Sequence, residues 1–343
     1  MHGSWYQRFV SAVAARLFAS LSRWIVIVAL MFPAGHALAQ APEDWPGRPV
    51  HLVIGIAAGS GSDLLARGLA QRLSRVWRQP VVVDNRTGAN TIIATEAVAR
   101  STPDGYTLLF ALDHAFTTTP HLYAKLPYDP LKDFAPITLL TEFGTVLVAT
   151  SALGVQNVAQ LIALAKSQPG RISYGSIGSG SQMHLITETL NNKAGINLQH
   201  VPYKGMPQLT TAVITGEVGV TWLGLFSARP HIASGKLKAL AYSDSKHASF
   251  MPELPIFVDL GYPDVQKSVW YGLLAPARTP RALIERIHGD VGSLIADPEF
   301  REKEILAKGY EPSGLGPDEF AALIRQQFAA GEAMVKTSGA RVE

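Results

Sequence analysis

Residues 51–66 read HLVIGIAAGSGSDLLA. The first seven are apolar and strand-like, the next few are small, and from Ser62 onward Leu65, Leu69, Leu73, Val76 and Trp77 recur near the helical period of about 3.6. Ser62 or Asp63 is the expected helix cap. Strand, small-residue loop and helix in direct succession point to an anion. The first turn of a helix carries amide N–H groups without partners and a partial positive charge. Small side chains let an anion approach that backbone, and serine hydroxyls add donors.

Working outward, strand-like and helix-like segments alternate. PVVV (80–83) and YTLLFAL (106–112) read as strands, and TIIATEAVARS between them as a helix. This order implies a parallel sheet covered by helices on both faces. APITLL and TVLVAT (135–150) read as two further strands. A second α/β set follows, with ISYGSI (172–177) as a strand, GSGSQ as a loop and MHLITETLNNKAG as a helix. LQHVPY, VGVTWLGL, LKALAYS and SVWYGLLAPA (268–277) read as strands, and QLTTAVITG as a helix. Helical segments at 280–296, 298–308 and 317–336 close the chain. The strand, glycine–serine loop and helix of 51–73 therefore recur at 172–194, once in each half.

Composition removes several functions. The formal charge of +3 contains Arg8, Arg16 and Arg23 of the first 39 residues, which hold no acid; subtracting these three from 30 basic residues leaves 27 against 27 acidic ones. A neutral remainder without a basic stripe is a poor phosphate-backbone binder. Those 39 residues have the order of a cleaved export signal: arginines, the apolar run WIVIVALMF (24–32), then Ala37-Leu38-Ala39. A periplasmic protein starting near Gln40 is the expectation. The chain has no cysteine, so neither disulfides nor a lipid-modified cysteine are expected.

Catalytic signatures do not assemble. Gly59-Ser60-Gly61 supplies half of a dinucleotide fingerprint, but Leu64 stands where the third glycine belongs. No Gly-Lys-Ser/Thr follows either loop, no G-x-S-x-G occurs, and Ser243-x-x-Lys246 lacks a companion Ser-Asp-Asn. Ten histidines are scattered without zinc-ligand spacing. What remains is the pair of loops. One helix start contributes about 0.3–2 kcal/mol electrostatically, whereas micromolar affinity needs about 8 kcal/mol. One loop is a weak site; two loops facing each other across a cleft make a plausible one.

The same stretches, together with PVVVDNRTGAN, PDGYTLL, LYAKLPYDPLKDFAPI, HVPYKG, RPHIASGKLKALA and WYGLLAPARTP, resemble the periplasmic solute receptors of tripartite tricarboxylate transporters, the Bug or TctC-like family. The resemblance runs from Trp45-Pro46 to the C-terminal helix. It implies an α/β chain with the type II periplasmic binding-protein fold, two α/β lobes with a ligand cleft between them. Lobe one would span 45–147 plus 265–343 and lobe two 148–264, with the strand around Trp270 crossing back. The implied ligand is a small carboxylate, and the implied partners are membrane transporter subunits. Neither catalysis, cofactor, metal nor nucleic acid is expected, and the chain is expected to be a monomer. A sensor for a signalling partner and an enzyme on the same scaffold stand as alternatives.

Carried onto this sequence, the ligand loops are Ala58, Gly59, Ser60, Gly61, Ser62 and Asp63 in lobe one, and Ser176, Gly178, Ser179, Gly180, Ser181, Gln182 and His184 in lobe two. Asp113 and His114 form a further ligand-facing loop, and Tyr203 and Trp222 complete the expected set. Three positions depart from the family pattern. Gly55-Ile56 replaces Pro-Phe, Thr87 replaces a proline, and Leu223 stands where many relatives carry an aspartate. An apolar Leu223 beside Trp222 implies a ligand without a cationic group.

Overall fold

The computed structural model describes residues 45–244, 247–248, 251–265 and 268–338. The expected export signal with its cleavage site, and Lys246, lie outside them. Strands β1 (Val50–Ile54), β2 (Val81–Asn85), β3 (Thr107–Leu112), β4 (Phe134–Phe143), β10 (Val269–Pro276) and β11 (Glu311–Pro312) form one sheet. Strands β5 (Thr145–Thr150), β6 (Ser173–Ser176), β7 (Gln199–Pro202), β8 (Val220–Gly224) and β9 (Leu237–Tyr242) form the other. The strand orders are β11-β4-β10-β3-β1-β2 and β7-β6-β8-β5-β9.

The two sheets share a plan. Each has three parallel strands, then one antiparallel strand that arrives from the other lobe, β10 in the first and β5 in the second. The parallel core of the first sheet is covered on both faces. Val50, Leu52, Val53 and Ile54 are at most 1% exposed, which is why β1 reads as a continuous apolar run rather than an alternating one.

The principal helices are α1 (Gly61–Trp77), α2 (Ile92–Ala99), α3 (Val158–Ser167), α4 (Gln182–Ala194), α5 (Met206–Thr215), α6 (Leu225–Ala233), α7 (Arg281–Ala296) and α8 (Pro317–Ser338). Leu65, Leu69, Leu73 and Trp77 form one stripe of α1 and enter the core with Ile287 and Val291 of α7. Lobe two has its own core around Tyr174, Leu190, Trp222 and Phe257. Among the described residues no helix is long and apolar enough to cross a membrane.

Four expectations need correction. The outgoing crossover is at Gly144: β5 pairs only within the second sheet, so the expected boundary at 147 cuts a lobe-two strand. Val265, assigned to lobe one, is buried in the lobe-two core. Helix α6 was not expected, because Pro230 lies inside it and its apolar residues lack a helical stripe. The segment 298–308 is not one helix but a short turn, a π-helical stretch (Arg301–Ile305) and a 3₁₀ turn ending at Gly309.

Helix α8 joins the lobes. Its Val335 packs with Leu185 of α4, and the Asn192 side-chain amide donates to the Thr337 carbonyl at 2.7 Å. A Cβ on Gly331 would lie 1.9 Å from the Thr117 carbonyl oxygen, so that closeness to lobe one needs glycine.

Candidate functional site

The two glycine–serine loops are built alike. Ser60, not Ser62 or Asp63, caps α1: its Oγ accepts the Asp63 amide at 3.2 Å. Asp63 turns back instead and accepts the Gly59 amide at 2.8 Å, Arg67 Nε at 2.9 Å and Asn85 Nδ2 at 2.8 Å. Burial alone would raise its pKa; the hydrogen bonds from Arg67, Asn85 and Gly59 outweigh burial and hold the carboxyl below its usual range. In lobe two Ser181 caps α4, accepting the His184 amide at 3.5 Å and donating to the Gly178 carbonyl at 2.7 Å. The Gly180 amide donates to His184 Nδ1 at 3.0 Å.

These bonds use the third amide of each helix and the Gly59 and Gly180 amides that precede the helices. The first two, of Gly61 and Ser62 on α1 and of Gln182 and Met183 on α4, precede the reach of the helix ladder. No hydrogen bond engages them among the described residues. All four residues line one cavity of about 180 Å³.

The rest of that wall comes from distant parts of the chain. Tyr271 of the returning strand lines the cavity beside Ser62 and Tyr310. Its ring packs tilted against Phe143 and edge-on against Tyr310, at centroid distances of 5.0 and 5.5 Å. A Cβ on Gly61 would lie 2.6 Å from the Tyr310 hydroxyl, so only glycine lets the phenol sit against the first amide of α1. Asn90 lies in a run of three left-handed non-glycine residues, Ala89, Asn90 and Thr91, with φ of 45°, 51° and 70°. Such a run is costly and is a mark of functional segments. Gly55 makes room for it, since a Cβ there would meet Thr91 at 2.6 Å. Lys308 reaches the cavity but is ion-paired with Glu304. The Gln182 Nε2 atom is buried and has no hydrogen-bond partner among the described residues.

The expected site residues divide three ways. Ser60, Gly61, Ser62, Asp113, His114, Ser181 and Gln182 line the cavity. Others shape the loops without lining it. Ala58, Gly59 and Ser179 are exposed, and Gly178 and Gly180 adopt φ of 119° and 77°. Asp63 is the brace already described, and Ser176 is buried with its Oγ 2.6 Å from His200 Nε2. His184 stacks on His200 at 4.2 Å behind the loop. The third group is elsewhere: Tyr203 donates to Glu217 at 2.8 Å, and Trp222 lies in the core, donating to Thr187 Oγ1 at 2.9 Å. Leu223 is also buried in the core, on β8 opposite Val146, so its identity carries nothing about the ligand's charge. Sequence reading missed Asn90, Phe143, Met183, Phe226, Tyr271, Lys308 and Tyr310. Tyr271 and Tyr310 come from segments more than 80 residues from either glycine–serine loop, where no local pattern marks them.

Known proteins share this architecture. A UPF0065 protein of Bordetella pertussis is 32% identical, over 93% of this chain and 98% of its own length. The solved structure of Rpa4515 from R. palustris with adipate is 31% identical with a TM-score of 0.81, covering 87% of this chain and 99% of that one. The periplasmic binding protein BugD is 30% identical with a TM-score of 0.78, covering 87% of this chain and all of that one. The fold is thus the two-lobed α/β fold of the periplasmic binding proteins. Residues 65–340 match the tripartite tricarboxylate transporter family receptor, and the chain belongs to that family of solute-binding receptors.

Proposed function

We propose that this protein captures a small organic carboxylate between its lobes in the periplasm, after export and signal cleavage, and hands it as a monomer to the membrane subunits of a tripartite transporter without chemical change. The observation that carries this is the convergence of four unused helix-start amides, two from each lobe, on one cavity. A carboxylate offers about four lone-pair sites on two oxygens, and hydrogen bonds to charged groups are worth about 1.5–3 kcal/mol each. Three such bonds reach micromolar affinity, about 8 kcal/mol, only when both lobes contribute. The adipate held by the R. palustris relative supports the same class of ligand.

Turnover has little support. Among the described residues two hydroxyl–imidazole pairs lie near the site, Ser176 with His200 at 2.6 Å and Thr91 with His114 at 3.4 Å, but Ser176 and Thr91 are both buried and neither lines the cavity. The test is a thermal-shift screen of carboxylates on the purified protein, with substrate recovered unchanged. A ligand at 100 times its dissociation constant adds about 2.7 kcal/mol of stability. A screen in which no carboxylate raises the melting temperature refutes the proposal.

A further inference from the structure

The cavity beyond the four amides is mostly apolar. Leu112, Phe143, Met183, Met206, Phe226 and Val269 form much of its wall. Its polar side chains are largely engaged already. Ser62 Oγ lies 3.1 Å from Ser60 Oγ, Asn90 donates to Thr119 at 3.1 Å, Thr145 Oγ1 lies 3.1 Å from Ser243 Oγ, and Lys308 pairs with Glu304. Asp113 adds a carboxyl to the wall, close enough to Tyr271 to help hold its hydroxyl protonated.

Resting on the carboxylate reading above, we propose that the ligand is a monocarboxylate with one compact apolar body of ring size, rather than a di- or tricarboxylate. The donor set matches one carboxylate: four amides for about four lone-pair sites, with Gln182 Nε2 as one more donor. A second carboxylate would be buried against apolar side chains and Asp113; among the described residues Lys308 is the one lysine or arginine on the cavity wall and it is paired with Glu304, while His114 faces Thr91, an arrangement that is heavily disfavoured. Size agrees. An apolar cavity of about 150 Å³ holds benzene, so 180 Å³ accommodates such a ring and its carboxylate. Phe226, about half exposed at the start of α6, closes this wall from lobe two.

Calorimetry with the purified protein and four probes, benzoate, hexanoate, adipate and citrate, tests the inference. Benzoate or hexanoate binds at least about tenfold more tightly than either polycarboxylate, the order expected for an unpaired buried charge. The exposed position 226 tolerates substitution, and F226R, by adding a cation, shifts the adipate-to-benzoate preference at least about tenfold toward adipate. Adipate or citrate binding more tightly than both monocarboxylates overturns the inference and leaves the carboxylate reading standing. An F226R variant with an unchanged ranking also overturns it. Binding of none of the four removes the carboxylate reading itself.

Discussion

Replacing Gln182 by methionine should make the empty protein more stable and its ligand weaker. The Nε2 group of Gln182, a residue that lines the cavity, is buried at the second loop and has no hydrogen-bond partner among the described residues. A buried donor left unsatisfied costs about 1–3 kcal/mol. Methionine has the same length, a comparable helix propensity and no donor to desolvate, and it keeps the backbone amide of residue 182 that belongs to the proposed anion site. Q182M should therefore raise the unfolding free energy of the empty protein by about 1–2 kcal/mol. The same change removes one hydrogen bond to a charged carboxylate, worth about 1.5–3 kcal/mol, so the dissociation constant should rise roughly 10- to 150-fold. Urea unfolding measures the first effect as a higher midpoint at unchanged slope, and titration with the tightest carboxylate measures the second. A variant that is less stable when empty, or that binds as tightly as the parent, refutes the reasoning, because either result means that the amide already has a partner or never meets the ligand.

Three further outcomes follow from the same geometry. G61A drives a Cβ to 2.6 Å from the Tyr310 hydroxyl, whose ring is boxed in by Phe143 and Tyr271; it should cost about 1–3 kcal/mol by overpacking and weaken carboxylate binding in the same calorimetric assay. W222F removes a bond to Thr187 and some core volume, and should lower stability by about 1–3 kcal/mol while the dissociation constant stays within about twofold, since Trp222 does not line the cavity; a large affinity loss at full folding would return Trp222 to the ligand. Burial, then the neighbouring His184, lowers His200 to about 4, and burial lowers His184 too. The folded protein thus resists protonation that the unfolded chain accepts near pH 6.5, so the stability is present above that pH and is lost as pH falls from there toward 4. Melts at pH 7, 6 and 5 should show this fall and H200Q should flatten it; Asp63 does not interfere, because its window lies below 3.8.

Much of this was legible in the linear chain because the signals are local. The apolar run of β1, the small residues after it and the stripe Leu65, Leu69, Leu73 and Trp77 lie within 28 residues and dictate a strand, a loop and a helix wherever the segment folds. Cap assignment was less certain, for a physical reason. Ser60, Ser62 and Asp63 can each accept an amide, and the choice fell to Ser60 because Arg67 and Asn85 draw the Asp63 carboxylate the other way. Trp222 and Leu223 illustrate the opposite limit: nothing in VTWLGLF tells which face of β8 meets the cleft, and the pairing with β5 turned both side chains into core.

The sequence by itself determined the two serine-capped helix starts, since N-terminal amides, small residues and a serine cap need only neighbours along the chain. Tertiary structure alone decided that both starts open on one cavity and what else that cavity offers. Tyr271 arrives on a strand returning from the other lobe, Tyr310 follows an irregular helix near the C-terminus, and Phe226 begins a helix that its own sequence hides. Their meeting is set by two crossovers and by sheet register, which are properties of the packed lobes as a whole, and these residues shape the space that a ligand's body must fill.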